Sequence, residues 1–299
     1  MQDNSIQQLD FASLATIKPA TIQKVTILRQ TKDHIVCRLT CDRGSYILKW
    51  FNVPADATEL HVYALLSKVG VDTLAVYEHT DRALLLEDIQ CSPRWRLADP
   101  ADMGQALTGR AVAEWYRSLH CAGREALGES NVHPTWLRSW VAEITEQSLI
   151  KAGAVFQLQA EPAWQTAIEC IAALRAKYLA LPQTFNYDDF AMENLALSRE
   201  AGAALRAVVF DYDCFKTGVA YSDWRNVMYS LDSEAKSAFA EAYGPVSEKE
   251  HLLDEPLAVL SGLIEASRRS KIPKWALPLR AAVVNGELEE SIRRAREDS

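Results

Sequence analysis

Phe185-Asn186-Tyr187-Asp188-Asp189-Phe190-Ala191-Met192-Glu193-Asn194 is the stretch on which the reading of this chain turns. It packs three carboxylates and two carboxamides into ten residues, bracketed by aromatic and apolar side chains. Mutual repulsion among Asp188, Asp189 and Glu193 would be relieved by a bound cation; a solvated acidic turn is the simpler alternative. The strand-like run Leu195-Ala196-Leu197 follows, and a second run over 205–210 leads into Asp211-Tyr212-Asp213. If the two runs pair as a hairpin about a midpoint near residue 202, Asn194 and Asp211 face each other at its open end. Hard oxygen ligands of this kind suit magnesium, which takes few protein ligands and leaves the rest to water and phosphate. A pair of strand-end caps is the alternative there.

Working outward, Tyr46-Ile47-Leu48-Lys49-Trp50-Phe51 sets one lysine in the middle of an apolar strand. Alternation sends Ile47, Lys49 and Phe51 to one face and Tyr46, Leu48 and Trp50 to the other. A lysine so placed is partly desolvated and needs an anionic partner, which Glu59 can supply. Otherwise it is an edge-strand lysine snorkelling to water. The surroundings read as β-rich runs over 24–29, 34–41 and 46–51, with a turn at Asp42-Arg43-Gly44. Asp56 or Thr58 then caps a helix carrying Val62, Leu65, Leu66 and Val69, which Gly70 stops. Strands over 73–78 and 82–86 close this region. From about residue 92 the pattern turns helical, with a start at Asp99-Pro100-Ala101-Asp102 and further helices over 134–152, 162–181 and beyond 222. The expectation is an α+β chain: a small antiparallel β lobe with one helix over 1–88, and a larger, mainly helical lobe over 89–299.

Taken together, Lys49, Glu59, Asp189 with Asn194 five residues on, a hairpin and then Asp211 resemble the protein-kinase-like phosphotransferases, in particular the branch of aminoglycoside phosphotransferases and choline kinase. That branch carries His-Gly-Asp where this chain has Tyr187-Asp188-Asp189. Arg82-Ala83-Leu84-Leu85-Leu86-Glu87-Asp88-Ile89 resembles the strand entering the family's hinge, and Trp115-Tyr116-Arg117-Ser118-Leu119-His120 its helix ending in Leu-His. The match spans roughly residues 25–230. The resemblance implies a two-lobed kinase-like fold binding ATP or GTP with magnesium and phosphorylating a hydroxyl of a small molecule. It assigns Lys49, held by Glu59, to the phosphates, and Asn194 and Asp211 to the metal. Asp189 becomes the catalytic base, the backbone near Glu87 and Ile89 the reader of the base, and Asp223 a brace for the catalytic loop. Asp188, Glu193 and Asp213 would favour a cationic acceptor. The phosphate-covering turn, Arg29-Gln30-Thr31-Lys32-Asp33-His34, contains no glycine, which leaves the side chains of Lys32 or His34 to contact phosphate. That departure and Tyr187-Asp188 favour the alternative, a catalytically inactive nucleotide-binding module.

Composition excludes other classes. Forty acids against 32 bases give a net charge of -8 over 299 residues, with -6 of it in 89–299, so nucleic acid is not an expected partner. No zinc spacing joins the six cysteines, which fit a reducing compartment. No apolar run reaches 18 residues and the first residues have no leader pattern, so the expectation is a cytoplasmic protein without a membrane partner. Short basic runs at 268–271 and 293–296 read as solvated helix faces, and oligomeric state is not legible.

Overall fold

In a computed structural model of the chain, residues 9, 14, 15, 17, 21–42, 44–53, 58–129, 134–199 and 205–297 are described. The chain's contacts form two compact units, Met1–Ser118 with Asp189–Phe215 and Ser230–Tyr243, and Leu119–Asp188 with Lys216–Tyr229 and Gly244–Ser299. This grouping differs from a cut at residue 88: residues 89–118, 189–215 and 230–243 all group with the first unit.

The first unit is built on an antiparallel sheet of β1 (Ile22–Gln30), β2 (His34–Cys41), β3 (Gly44–Phe51), β4 (Val76–His79) and β5 (Ala83–Glu87), in the order β1-β2-β3-β5-β4. Two-residue periodicity sets its faces. Leu48 and Trp50 enter a core with Ile35, Cys37 and Leu39. Ile47 and Lys49 take the other face, opposite Arg38 and Val36 of β2. Helix α1 (Thr58–Lys68) buries Glu59, Val62, Tyr63 and Leu66, one stripe at i, i+3, i+4 and i+7. Each aliphatic side chain buried there contributes about 1.5–3 kcal/mol. Gly70 ends the helix at φ +76°, left-handed backbone that suits glycine. Asp56, an alternative cap, lies outside the described residues, as does Arg43 of the turn before β3.

A second sheet of this unit orders β6 (Trp95–Leu97), β8 (Leu195–Ser198) and β9 (Ala207–Val209) as β6-β8-β9. The β8–β9 hairpin forms in a register one residue away from the expected one. Leu195 pairs with Val209, and Phe210 N–H donates to Asn194 O at 3.1 Å. Asn194 therefore faces Phe210, and Asp211 follows it at φ +65°, left-handed backbone that turns the chain out of the ladder. The helix expected from Asp99 also starts later. Asp99 Oδ1 caps a short turn over Asp102–Gly104, Asp102 pairs with Arg96, and α2 runs Ala106–Glu129. Within the first unit α6 (Ser233–Tyr243) packs on α2, where Tyr116 meets Phe239 and Phe190 edge-on.

The second unit is mainly helical: α3 (Glu146–Phe156), α4 (Pro162–Leu179), α5 (Ala220–Ser230), α7 (Glu248–Ser267), α8 (Ala276–Val284) and α9 (Glu287–Glu297), with β7 (Thr184–Asn186) paired to β10 (Lys216–Gly218). Its core joins Trp140, Trp164, Tyr178, Leu257, Leu260 and Ile292. The single helix expected over 134–152 is instead a short turn at Trp140–Glu143 followed by α3, which Thr145 and Ser148 start with a reciprocal capping box. No described helix is long and apolar enough to cross a membrane.

Candidate active site

Lys49 is the centre of charge in the first unit. β3 delivers its stem between the apolar strands, and its ammonium meets Glu59 Oε2 at 2.5 Å, Asp211 Oδ1 at 2.7 Å and Asp213 Oδ1 at 3.0 Å. Glu59 sits in the first turn of α1 with its side chain buried, and its Oε1 accepts from Tyr212 N–H at 3.3 Å. Tyr212 packs edge-on to Tyr63 and donates its hydroxyl to Val209 O, fixing the segment that carries both aspartates. Burial alone would lower the Lys49 pKa, but Glu59, Asp211 and Asp213 together hold it well above the ordinary lysine value. Burial raises the Glu59 carboxyl against the pull of Lys49, and the two aspartates add to that rise.

Three carboxylates thus meet one lysine, and their oxygens lie within 4.8 Å of one another. Asp211 and Asp213 stay open to solvent at 27% and 43% side-chain exposure, while Glu59 is closed off at 1%. Surplus negative charge on accessible hard oxygens fits a divalent cation such as magnesium. Asn194 lies outside this trio. Its Nδ2 donates to Asp189 Oδ2 at 2.9 Å, which leaves its Oδ1 as the atom able to face a cation. Asp189 is exposed and Glu193 more so than its apolar neighbours, Glu193 lining the same cavity as Lys49.

That cavity, about 300 Å³, is walled by Leu28, Val36, Ile47, Leu74, Leu86 and Phe210, with Lys49, Glu59 and Asp211 at its polar part and Glu87, Asp88, Ile89 and Gln90 along its border. Glu87 turns its carboxylate away to Ser92 and the Ala75 N–H, and its own N–H is taken by Ala75 O. The Ile89 carbonyl accepts from Ser92 N–H at 3.3 Å. Sequence reasoning missed the neighbouring cluster. Arg38 binds Asp88 through Nε at 2.6 Å and Nη2 at 3.2 Å, and Ser45 adds a third donor. Although burial raises it, these donors hold the Asp88 carboxyl below its ordinary value. The signal was available: Arg38 lies two residues beyond Val36, on the face shared with Ile47 and Lys49.

In the second unit Asp223, in the first turn of α5, accepts from Tyr187 N–H at 2.9 Å and Asp188 N–H at 2.8 Å. These are the two residues that precede Asp189 in the chain. His120 Nε2 lies 3.2 Å from the same carboxylate; the sequence pointed to that histidine without a role for it. Asp188 stands at φ +60° and accepts from Asn226 Nδ2 at 2.8 Å. Desolvation, then the neighbouring Asp223, pushes its carboxyl up to about 6. Of the acids expected to favour a cation, Asp188 is therefore engaged by Asn226, Asp213 by Lys49, and Glu193 is left exposed on the cavity.

No protein-family model and no curated protein match the chain. Solved structures do. A choline/ethanolamine kinase family protein from Mesorhizobium loti is similar with a TM-score of 0.64 at 15% identity, covering 98% of both chains. The GDP complex of an aminoglycoside 2'-phosphotransferase-IIIa gives 0.58 at 11% identity, covering 99% of each. The macrolide 2'-phosphotransferase from Brachybacterium faecium gives 0.53 at 17% identity, covering 94% of this chain and 96% of that one. At such identities the likeness is one of fold. The chain has the two-lobed protein-kinase-like fold of these small-molecule phosphotransferases, an antiparallel β lobe and a mainly helical lobe.

Proposed function

We propose that this chain is a small-molecule kinase that moves the γ-phosphate of ATP or GTP to a hydroxyl of a small, amine-bearing acceptor. The observation that carries the reading is the buried Lys49–Glu59 ion pair, set beside Asp211 on the wall of a cavity bordered by residues 87–90. A lysine held rigid by one carboxylate is a fixed positive charge for the α- and β-phosphates. Asp211 and Asn194 would hold magnesium, with Asp213 beside them; magnesium, when bound, neutralises charge on the phosphates. Asp189, exposed and oriented by Asn194 Nδ2, accepts the proton of the acceptor hydroxyl. The acceptor oxygen forms its bond to the γ-phosphorus as the bond to the β–γ bridging oxygen breaks, and the nucleoside diphosphate departs. The backbone at Glu87 and Ile89 reads the base, and Asp223 braces the loop ahead of Asp189. Positioning and charge neutralisation supply most of the rate, since the protein makes no covalent bond.

Two considerations support the amine. Glu193 stays free of an ion pair among the described residues, and residues 89–299 carry -6 of the net -8, so a cation is drawn toward this chain. The similar structures include a choline/ethanolamine kinase family protein and an aminoglycoside phosphotransferase solved with GDP and kanamycin; ethanolamine, choline and kanamycin are all cationic hydroxyl compounds. The glycine-free turn before β2 favours a second reading, an inactive nucleotide-binding module. One experiment tests both: purified chain with ATP or GTP, magnesium and a panel of hydroxylated acceptors, read by thermal shift and by phosphate transfer. The kinase reading expects both signals. A magnesium-dependent shift without transfer to any amino alcohol or aminoglycoside supports the module, and no shift with any nucleotide removes both.

A further inference from the structure

The turn between β1 and β2 uses its backbone donors internally. Thr31 N–H donates to His34 O at 2.9 Å, and the N–H groups of Asp33 and His34 both donate to Thr31 Oγ1, at 3.2 and 3.1 Å. Asn52 ties the turn down from β3, its N–H donating to Asp33 O and its Nδ2 to Lys32 O, each at 2.8 Å. With three amides committed and no glycine to let a ligand approach the backbone, this turn lacks the row of free N–H groups that cradles phosphate in glycine-rich loops.

Two basic side chains stand beside the turn instead. A second cavity, about 480 Å³, is lined by Arg29 and His34 and by the carboxylates of Asp33, Glu59 and Asp213, so it adjoins the Lys49 cluster. The Arg29 side chain is 61% exposed and its Nη1 lies 3.8 Å from Asp211 Oδ2. An exposed pair at that distance is weak and readily exchanged for a ligand oxygen. His34 lines the same cavity and is buried, and its Nε2 has no hydrogen-bond partner, an unsatisfied polar atom that pairing with a ligand would relieve. Lys32, the other basic candidate, is 90% exposed, reaches only Asp33, and does not line the cavity.

We infer that Arg29 and His34 hold the polyphosphate of the nucleotide donor with side-chain N–H groups, in place of the backbone amides of a glycine-rich turn; this rests on the kinase reading. The guanidinium offers a planar fork that matches phosphate oxygens, and the imidazole one further donor. The test is calorimetric titration of the full chain with ATP and, separately, adenosine, in magnesium. Arg29→Ala should weaken ATP by about tenfold or more, the worth of a charge-assisted hydrogen bond, with adenosine changed less than about twofold. His34→Ala should weaken ATP alone, and His34→Gln, whose amide also donates, should recover part of the loss. Lys32→Ala should bind as the wild type does. Arg29→Ala sits on the surface and keeps the test valid if His34→Ala fails to fold. Wild-type affinity for ATP in Arg29→Ala, or equal losses for ATP and adenosine, overturns this inference and leaves the kinase reading standing. A wild-type chain that binds neither ligand removes the kinase reading, and this inference with it.

Discussion

Two aspartates of this chain, Asp188 and Asp211, hold left-handed backbone at φ +60° and +65°. Asp and Asn tolerate that region better than other side chains with a Cβ, so the residue type and the geometry agree. At Asp188 the left-handed backbone is therefore held without a glycine. The Asp188 carboxyl also has a raised pKa, and the sign follows from linkage. Between its unfolded value of 3.8 and its folded value of about 6, the folded state holds a proton that the unfolded chain has released. This group therefore lowers stability as pH rises through that window, and the loss is complete above it. Asp188→Asn keeps the left-handed backbone and the acceptor for Asn226, so urea unfolding from pH 4 to 7 should show a smaller fall with pH and at least wild-type stability at pH 7. An unchanged pH slope would assign the proton elsewhere. Asp189→Asn should lower turnover by about 100- to 10,000-fold while nucleotide affinity stays within a few-fold. Affinity lost in step with turnover would make Asp189 a structural residue.

Elements set the precision of these side chains. β3 carries Lys49 and α1 carries Glu59, and the ion pair between strand and helix is 2.5 Å long with both side chains buried. Removing Lys49 leaves Glu59 a buried carboxylate with no cation beside it, worth about 3–5 kcal/mol. Lys49→Met should therefore lose several degrees of thermal stability in the absence of any ligand, as a denaturation scan would read; an unchanged midpoint would mean that Glu59 is satisfied without the lysine. In α2, Gly109 is needed for close approach. A Cβ there would stand 2.2 Å from the backbone oxygen of Ala235. Gly109→Ala forces α2 and α6 apart and should destabilise the fold by about 1–3 kcal/mol despite the better helix propensity of alanine. A more stable variant would mean that the two helices separate without strain.

For the molecule as a whole, net charge sets the response to salt. If an amine-bearing acceptor is drawn by the negative field, its kcat/KM should fall as ionic strength rises, because screening shortens to about 8 Å at physiological salt. Rates for neutral hydroxyl compounds should not move. A panel assayed at two salt concentrations separates the cases, and neutral acceptors as the best substrates at both would remove the cationic preference. Nucleotide bound only to the folded chain at about 100 times its Kd should add about 2.7 kcal/mol to stability.

Local pattern determined much of this. Period-two alternation fixed which face of β3 carries Lys49, because a strand has only two faces. In α1 helical spacing gave Val62, Leu66 and the stop at Gly70, whereas packing buries Glu59 and Tyr63 and leaves the expected Leu65 and Val69 half-buried. The motif residues Lys49, Glu59, Asp189, Asn194 and Asp211 were legible because their chemistry is unusual for an apolar setting. Tertiary structure decided what sequence separation hides. The one-residue shift that sets Asn194 opposite Phe210 depends on the ladder as a whole. Asp213 joins Lys49 across 164 residues, Arg38 joins Asp88 across 50, and His120 joins Asp223 across 103. Such pairs exist only once strands and helices have been brought together, since no local energy term favours them. The grouping of 189–215 with the first unit has the same origin: Tyr212 gains its burial from Tyr63 of α1, a neighbour that only the folded chain provides.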